Sequence, residues 1–388
     1  MTDSATAVVH GPRLQDYNPS DDATRPLRRG LGVELMDAYG LRDHPGAVRV
    51  DPPSAAVEDV ERVHAPAYVR AVRRLSASPV LAAAPEAAQW GLQPGGDTPA
   101  TAGMHEAALA VCGASLTAAA LVWEGRAARA FCPAPAGLHH ARASQASGFC
   151  VYNDCALAIR WLLDAGAERV AYVDIDAHHG DGVQWLFYEE PRVLTCSVHE
   201  SGRYLYPGTG GLAERGAGEG VGTSVNVPLP PFAGDGPYLR AIEEVVAPAV
   251  RRFAPDALVT HQGADPHHAD PYSHLQVSLE GLRRSYRLMN ELAADAAGGR
   301  WIVLAGGGYN IDLLARAWTL QLAEMLGADP DDSIPGDWLA LAQERAGHSF
   351  TDRLRADGEP EADAARRSAA DAEGGAVVDQ ARALLGAT

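Results

Sequence analysis

The segment ERVAYVDIDAHHGDG, residues 168–182, constrains the fold most, because an apolar run ends abruptly in acidic and histidine residues. Residues 170–175 are rich in β-branched and aromatic side chains, as in a short buried strand, and two glycines then interrupt the run. Asp176 and His178 lie two residues apart in an extended segment, so their side chains leave the same face and can reach one ion. A carboxylate beside an imidazole suits zinc or a similar divalent metal.

Three further apolar runs end in polar or glycine-rich segments. PDALVTHQGAD ends at Asp265, WIVLAGGGYN places three glycines before Tyr309, and ARAFCPAPAGLHH leads to His139 and His140. In a parallel α/β sheet, ligands bind at the carboxyl ends of the strands, where successive loops converge. We therefore expect the four segments to form one metal-centred site.

Helical stretches rich in alanine and leucine alternate with the strand-like runs. They cover residues 104–123, 154–164, 237–252 and 279–297. This alternation predicts an α/β fold, in which a mainly parallel central sheet is flanked by helices.

Longer motifs around these segments carry a family resemblance. The motifs GLHHARASQASGFCVYND, DIDAHHGDGV, RYLYPGTG, QGADPHHADP and GGGYN resemble the zinc-dependent histone deacetylase family of the arginase/deacetylase superfamily, and most of all its bacterial acetoin-utilisation branch. The resemblance covers most of residues 10 to about 325. It implies a single-domain, three-layer arginase/deacetylase-like fold and metal-dependent hydrolysis of N6-acetyl-lysine to lysine and acetate.

The resemblance also implies a role for each polar residue. Amide hydrolysis requires an activated water, a stabilised oxyanion and a protonated leaving amine. The implied metal ligands are Asp176, His178 and Asp265, and the implied catalytic group comprises His139, His140, Tyr309, Asp174 and Asp181. His140 would take and return a proton, His139 would add a second imidazole, and Tyr309 would donate to the oxyanion. Asp174 and Asp181 would accept hydrogen bonds from the histidines. The implied cofactor is Zn²⁺, with Fe²⁺ as the alternative.

A substrate channel is implied by the same resemblance. Its residues are Asp97, Gly148, Phe149, Tyr206, Tyr272 and Gly307. Phe149 and Tyr206 would enclose the methylene chain of lysine. Asp97 would hold the substrate backbone at the rim, with capping of a helix as the alternative. Tyr272 stands where relatives commonly carry a smaller apolar residue, which leaves the channel width and the acyl preference open. Arg28 would lie near an inner cavity, with an ordinary surface position as the alternative.

Potassium is a further implied cofactor. The implied contacts of a K⁺ ion are Asp174, Asp176, His178, Ser197 and Val198. A distal second ion site stays open, because Thr223 replaces an aromatic residue that is usual there.

Composition narrows the classes of partner and compartment. Lys and Arg total 32 against 50 Asp and Glu, and the net charge of −18 disfavours nucleic-acid binding. The N-terminus lacks the features of a signal peptide, and no apolar run approaches about 20 residues. We therefore expect a cytoplasmic protein without a membrane partner. Five scattered cysteines indicate neither a disulfide framework nor a zinc knuckle.

The predicted organisation is a catalytic domain at residues 1–330 and a helical or partly disordered extension at residues 331–388. The expected substrate is an acetylated protein or peptide, for example an acetylated acetyl-CoA synthetase. Two alternatives stay open. One is an amidohydrolase of acetylpolyamines or other small amides, and the other is an inactive acetyl-lysine binder. The sequence does not determine the oligomeric state.

Overall fold

The central feature of the computed structural model is one sheet of eight strands. The structure describes residues 5–19, 24–78, 80, 85–133, 135–358, 360 and 362–386. The strands are β1 (Thr6–Val9), β2 (Ala47–Val50), β3 (Arg129–Pro133), β4 (Val170–Asp174), β5 (Val193–Glu200), β6 (Ser224–Leu229), β7 (Ala257–His261) and β8 (Trp301–Ala305). Their order is β2-β1-β3-β8-β7-β4-β5-β6, and every neighbouring pair is parallel. The predicted parallel α/β architecture is confirmed.

Helices cover both faces of this sheet. They are α1 (Thr24–Ala38), α2 (Val57–Val60), α3 (Pro66–Ala77), α4 (Pro85–Gln89), α5 (Met104–Trp123), α6 (Asp154–Asp164), α7 (Asp181–Leu186), α8 (Asp235–Ala241), α9 (Ala247–Phe253), α10 (Leu279–Ala296), α11 (Ile311–Leu326), α12 (Gly336–Ala346) and α13 (Ala364–Gly386). A π-helical turn, Ile242–Val246, joins α8 to α9.

Alternate side chains of the central strands enter two separate cores, as the two-residue period of a strand requires. In β4, Ala171 and Val173 pack into the core beneath α1 and α8 to α11. Val170 and Tyr172 pack into the opposite core beneath α3, α5 and α6. Both faces of the sheet are therefore buried, which accounts for the nearly continuous apolar runs in the sequence.

Helix α5 differs from the expectation that no apolar run approaches membrane-spanning length. With 20 residues, the helix is long and apolar enough to cross a membrane by length and composition alone. However, 67% of its apolar 18-residue stretch is buried inside the protein. The helix packs against α3, α6 and β3. Its apolar composition therefore matches its place in the core.

The segment beyond residue 330 packs onto the same sheet and its helices. Helix α12 contacts α1, and α13 lies against α8 and the edge strand β6. A helix over an edge strand shields unpaired backbone groups from other chains. Within the described residues, much of this segment is helical.

Close packing between α1 and α11 gives a stability prediction. A methyl group on Gly32 would lie 2.6 Å from the buried ring of Trp318, whereas one on Gly30 of the same helix meets nothing nearer than 3.9 Å. Gly32→Ala should lower the free energy of unfolding by about 1–3 kcal/mol through overpacking. Gly30→Ala, the matched control, should raise it by up to about 1 kcal/mol through helix propensity. Urea denaturation measures both changes, and equal effects would contradict the packing explanation.

Candidate active site

Two carboxylates and one imidazole converge beyond the ends of β4 and β7. One ligand atom from each of Asp176, His178 and Asp265 lies within 4.8 Å of the others, and all three residues are buried. His178 Nδ1 is 3.0 Å from Asp176 Oδ1 and 3.3 Å from Asp265 Oδ2. Burial alone would lower the pKa of His178, but the hydrogen bond to Asp176 and the negative charges of Asp176 and Asp265 raise this pKa well above its ordinary value. The cluster therefore favours positive charge at its centre.

The surroundings of this cluster fit a divalent cation. Asp265 Oδ2 is a buried oxygen without a hydrogen-bond partner among the described residues. A Cβ atom on Gly307 or Gly263 would come within 2.0 Å or 2.3 Å of Asp176 Oδ2, so the glycines leave the carboxylate unobstructed. Two carboxylates and an imidazole suit Zn²⁺ or Fe²⁺, and three protein ligands leave coordination positions open.

Two histidine–aspartate pairs stand beside the cluster. His139 Nδ1 is 2.7 Å from Asp174 Oδ2, and His140 Nδ1 is 2.7 Å from Asp181 Oδ1. Each carboxylate accepts the Nδ1 proton, which leaves Nε2 of the ring available for proton transfer. Close backbone approach requires glycine at position 182, where a Cβ atom would lie 2.5 Å from the His139 carbonyl oxygen.

The His140 pair is electrostatically suited to accept a proton. Burial and the neighbouring His139 lower the pKa of His140 to about 4, although Asp181 opposes the change. His140 is therefore neutral at pH 7. Arg142 donates two hydrogen bonds, of 3.2 and 2.7 Å, to Asp181 Oδ2. Burial would raise the pKa of Asp181, but the hydrogen bonds from His140 and Arg142 outweigh it and lower this pKa.

His261, at the end of β7, is a site residue that the sequence reasoning missed. Its Nε2 lies 3.2 Å from Asp176 Oδ2, and its Nδ1 lies 3.0 Å from the Leu304 carbonyl oxygen. Burial would lower the pKa of His261, but Asp174 and Asp176 raise it to about 9. A protonated ring can donate to both acceptors, so His261 places a positive charge beside Asp176. Its position at a strand end was the available signal.

Asp270 is a second missed residue, and it orients Tyr309. Asp270 Oδ2 accepts the Tyr309 backbone N–H at 2.6 Å, and Oδ1 accepts the Tyr272 backbone N–H at 2.9 Å. Burial and the negative charge of Asp265 raise the pKa of Asp270 to about 7. The Tyr309 ring lies 6.4 Å from the His178 ring, so the phenol belongs to the same site.

An open cavity leads to these residues. It is lined by Asp97, His140, Gly148, Phe149, His178, Leu205, Tyr206, Tyr272 and Tyr309. Tyr206 and Tyr272 stand at its rim, 39% and 52% exposed. The Tyr272 ring meets the Tyr309 ring edge-on at a centroid distance of 4.5 Å. Five of the six predicted channel residues therefore line one cavity, and Tyr272 narrows it beside Tyr309.

Asp97 has a contact that was not predicted. Its Oδ2 accepts the Gly148 backbone N–H at 2.9 Å, while Thr98 Oγ1 accepts the Phe149 backbone N–H at the same distance. Phe149 has a φ of 65°, in the left-handed region that a bulky residue rarely adopts. The two hydrogen bonds therefore stabilise this strained residue in the cavity wall. Asp97 caps no described helix, and its contact with a substrate backbone stays a prediction.

Gly307, the sixth predicted channel residue, lies in a second, inner cavity behind the cluster. Arg28, Arg29, Gly306 and Trp318 also line this cavity. The Arg28 guanidinium stands 4.9 Å from the centre of the Tyr309 ring. Gly307 therefore borders the inner cavity and the cluster of Asp176, His178 and Asp265 rather than the open channel, and the two arginines add positive charge to the cavity lining.

The residues predicted to contact K⁺ lie in different environments in the structure. Asp174 of β4 and Ser197 of β5 are register partners, so they lie side by side. Ser197 Oγ is 2.8 Å from His199 Nδ1, whereas the Val198 side chain is part of the apolar core. Asp176 and His178 belong to the cluster described above. At the distal position, Thr223 Oγ1 donates to the Gly220 carbonyl oxygen at 2.7 Å.

Comparison with known proteins identifies the family of this chain. The model of the histone deacetylase domain matches residues 24–325, so the chain belongs to the histone deacetylase family. Its relatives place it in the acetoin-utilisation branch. The acetoin utilization protein AcuC of Bacillus subtilis (strain 168) is 42% identical over 347 residues, which cover 89% of this chain and 88% of the relative. AcuC of Staphylococcus xylosus is 35% identical over 342 residues, or 87% of each chain.

Proposed function

We propose that this chain is a zinc-dependent protein lysine deacetylase, which hydrolyses N6-acetyl-lysine in cytoplasmic proteins to lysine and acetate. One observation carries the proposal. The cluster of Asp176, His178 and Asp265, the two histidine–aspartate pairs and Tyr309 meet beside one open cavity. Membership of the histone deacetylase family supports the reaction class.

Each chemical task has a residue in this arrangement. A divalent cation in the cluster would polarise the amide carbonyl and acidify a water molecule. Neutral His140, fixed by Asp181 at Nδ1, takes the proton of the attacking water at Nε2 and later returns one to the lysine amine. His139, fixed by Asp174, adds a second imidazole at the reacting centre. Tyr309 donates its phenol hydrogen to the developing oxyanion.

The cavity and the charge of the protein support a lysine substrate. Phe149 and Tyr206 line the cavity with aromatic surface, which suits the four methylene groups of lysine. The net charge of −18 suits cationic segments of a partner protein, and we propose neither nucleic acid nor membrane as a partner. An acetylated acetyl-CoA synthetase is one target to test. Fe²⁺ is the alternative metal, and K⁺ beside Asp174 and Ser197 is a further proposed cofactor.

A second candidate substrate class is the acetylpolyamines. The exposed rim combines the carboxylate of Asp97 with the rings of Tyr206 and Tyr272, and all three attract cations. A small cationic amide could therefore enter the cavity without a peptide backbone. The values of kcat/KM on an acetyl-lysine peptide and on an N-acetylpolyamine separate the two classes. We expect the peptide to be the better substrate, and a strong preference for the polyamine would favour the second class.

Tyr309→Phe tests whether the site hydrolyses acetyl-lysine or only binds it. Loss of the phenol donor should lower kcat about 100- to 1000-fold, because this hydrogen bond strengthens as the oxyanion forms. The KM for an acetyl-lysine peptide should change much less. Acetate release measures both constants. If the wild-type protein binds the peptide but releases no acetate, it is an inactive binder, and an unchanged kcat in the variant would remove Tyr309 from the mechanism.

A further inference from the structure

Asp357 lies beyond residue 325, where the family match ends, yet it contacts the loop that carries Asp265. Both His267 Nε2 and His268 Nε2 lie close to one oxygen, Asp357 Oδ1, at 2.7 and 2.9 Å. The two rings stack with centroids 4.2 Å apart. The other oxygen, Asp357 Oδ2, accepts the Leu279 backbone N–H at 2.8 Å. One carboxylate therefore joins three points on the chain.

Hydrogen bonding explains this cluster better than a metal ion does. Its ligand atoms lie close enough to hold a cation. However, the Ala269 backbone N–H donates to His267 Nδ1 at 3.0 Å, so Nδ1 is the unprotonated, accepting nitrogen of this ring. In a neutral imidazole the proton then resides on Nε2, which donates to Asp357 and cannot ligate a metal. We call His267, His268 and Asp357 the carboxylate clasp.

The clasp holds the middle of the active-site loop, residues 264–277. Near its start the loop carries Asp265 of the metal cluster, and further along it carries Asp270, which binds the Tyr309 backbone N–H. His268 N–H donates to the Val277 carbonyl oxygen at 3.1 Å, and this contact ties the two arms of the loop together. A displacement at His268 would therefore reach both Asp265 and Asp270.

Asp357 is itself firmly anchored. Arg316 of α11 is buried and donates to the carbonyl oxygens of Leu354 and Ala356. The Leu354 side chain is fully buried in the apolar core. Helix α11 begins two residues after Tyr309, so the helix that anchors Asp357 starts beside this tyrosine.

We propose that Asp357 is a positioning residue, which holds Asp265 and Asp270 in place through His267 and His268. The consequence for catalysis rests on the proposed function and the consequence for zinc affinity on its metal site, whereas the consequence for loop order in the metal-free protein rests on neither. The C-terminal segment would then complete the active site from outside the family domain.

The full-length Asp357→Ala variant tests this role. Zinc affinity, measured by competition with a chelator, should fall about tenfold, as when supporting residues of a metal site are removed. In the metal-free protein, amide hydrogens of residues 264–277 should exchange faster. Asp337→Ala, which removes another exposed C-terminal carboxylate at the start of α12, should change neither quantity. Wild-type zinc affinity and exchange in Asp357→Ala would overturn the proposal.

Substitutions at His268 separate the clasp from a metal site. Glutamine keeps an N–H donor near the Nε2 position, so His268→Gln should weaken zinc binding at the catalytic cluster less than about threefold. His268→Ala should match Asp357→Ala. Suppose that His268→Gln weakens zinc binding as much as His268→Ala, and that the wild-type protein holds a second zinc that Asp357→Ala lacks. The clasp is then a metal site and the proposal is wrong.

A more conservative variant at the same position is a control for misfolding of Asp357→Ala. Asp357→Asn keeps the shape of the side chain but turns an NH₂ group toward the Leu279 N–H or toward the two histidine donors. It should produce the same changes at reduced size, and its failure to do so would also overturn the proposal. If the wild-type protein deacetylates no acetyl-lysine substrate while the zinc affinities follow this pattern, the proposed function fails and the clasp stands.

Discussion

Asp265→Asn should remove stoichiometric zinc from the protein and lower kcat by at least about 1000-fold. The substitution replaces a charged ligand with a neutral amide in a cluster where Asp265 Oδ2 has no hydrogen-bond partner among the described residues. The polarising charge contributes several kcal/mol to such reactions, and each 1.36 kcal/mol is a factor of ten in rate. Metal analysis of the purified variant and acetate release measure the two effects.

The fold should survive this change, so the loss can be assigned to the metal. Asp265 Oδ1 accepts the Ala177 backbone N–H at 2.9 Å, and the carbonyl oxygen of asparagine can take over this bond. Asp337→Asn at the exposed start of α12 is the matched control and should keep both zinc and activity. A variant at Asp265 that retains one zinc per chain and full kcat would exclude Asp265 from the metal site.

His140→Ala should lower kcat about 100- to 10,000-fold, the range expected when a general base is removed. Zinc content should stay at the wild-type level, because His140 is bonded to Asp181 and not to the cluster of Asp176, His178 and Asp265. Arg142 still neutralises Asp181 in the variant, so the pocket should remain folded. Activity assays with paired zinc analysis measure both expectations.

Added imidazole sharpens the test of His140. A small base that enters the vacated space can take over proton transfer, so imidazole should restore part of the activity of His140→Ala but none of the activity of Asp265→Asn. If His140→Ala loses less than about threefold in kcat, proton transfer resides elsewhere, and His139 becomes the first residue to examine.

The central part of the fold was predictable because its signal is local. The four predicted strand runs became β3, β4, β7 and β8, which are neighbours in the sheet, so their polar ends meet. Strands buried on both faces give continuous apolar runs that are visible in the sequence. The four-residue strands β1 and β2 are too short for a comparable signal, and their place at one edge depends on pairing with distant segments.

Only the site residues that lie within sequence motifs were predictable. Family-like motifs located the cluster and both histidine–aspartate pairs, whereas His261 and Asp270 act through contacts between segments. His261 bonds Asp176 of another strand end, and Asp270 bonds the backbone of Tyr309. Asp357 lies 89 residues or more from its histidine partners, in a segment that carries no motif. Such roles depend on packing, which no local pattern records.

Anomalous diffraction at the zinc edge, from crystals of the zinc-loaded full-length protein, tests the central claim most directly. We expect one strong peak about 2.0–2.3 Å from a ligand atom of each of Asp176, His178 and Asp265. The absence of a peak there, or a peak only between His267, His268 and Asp357, would contradict a mechanism built on that cluster.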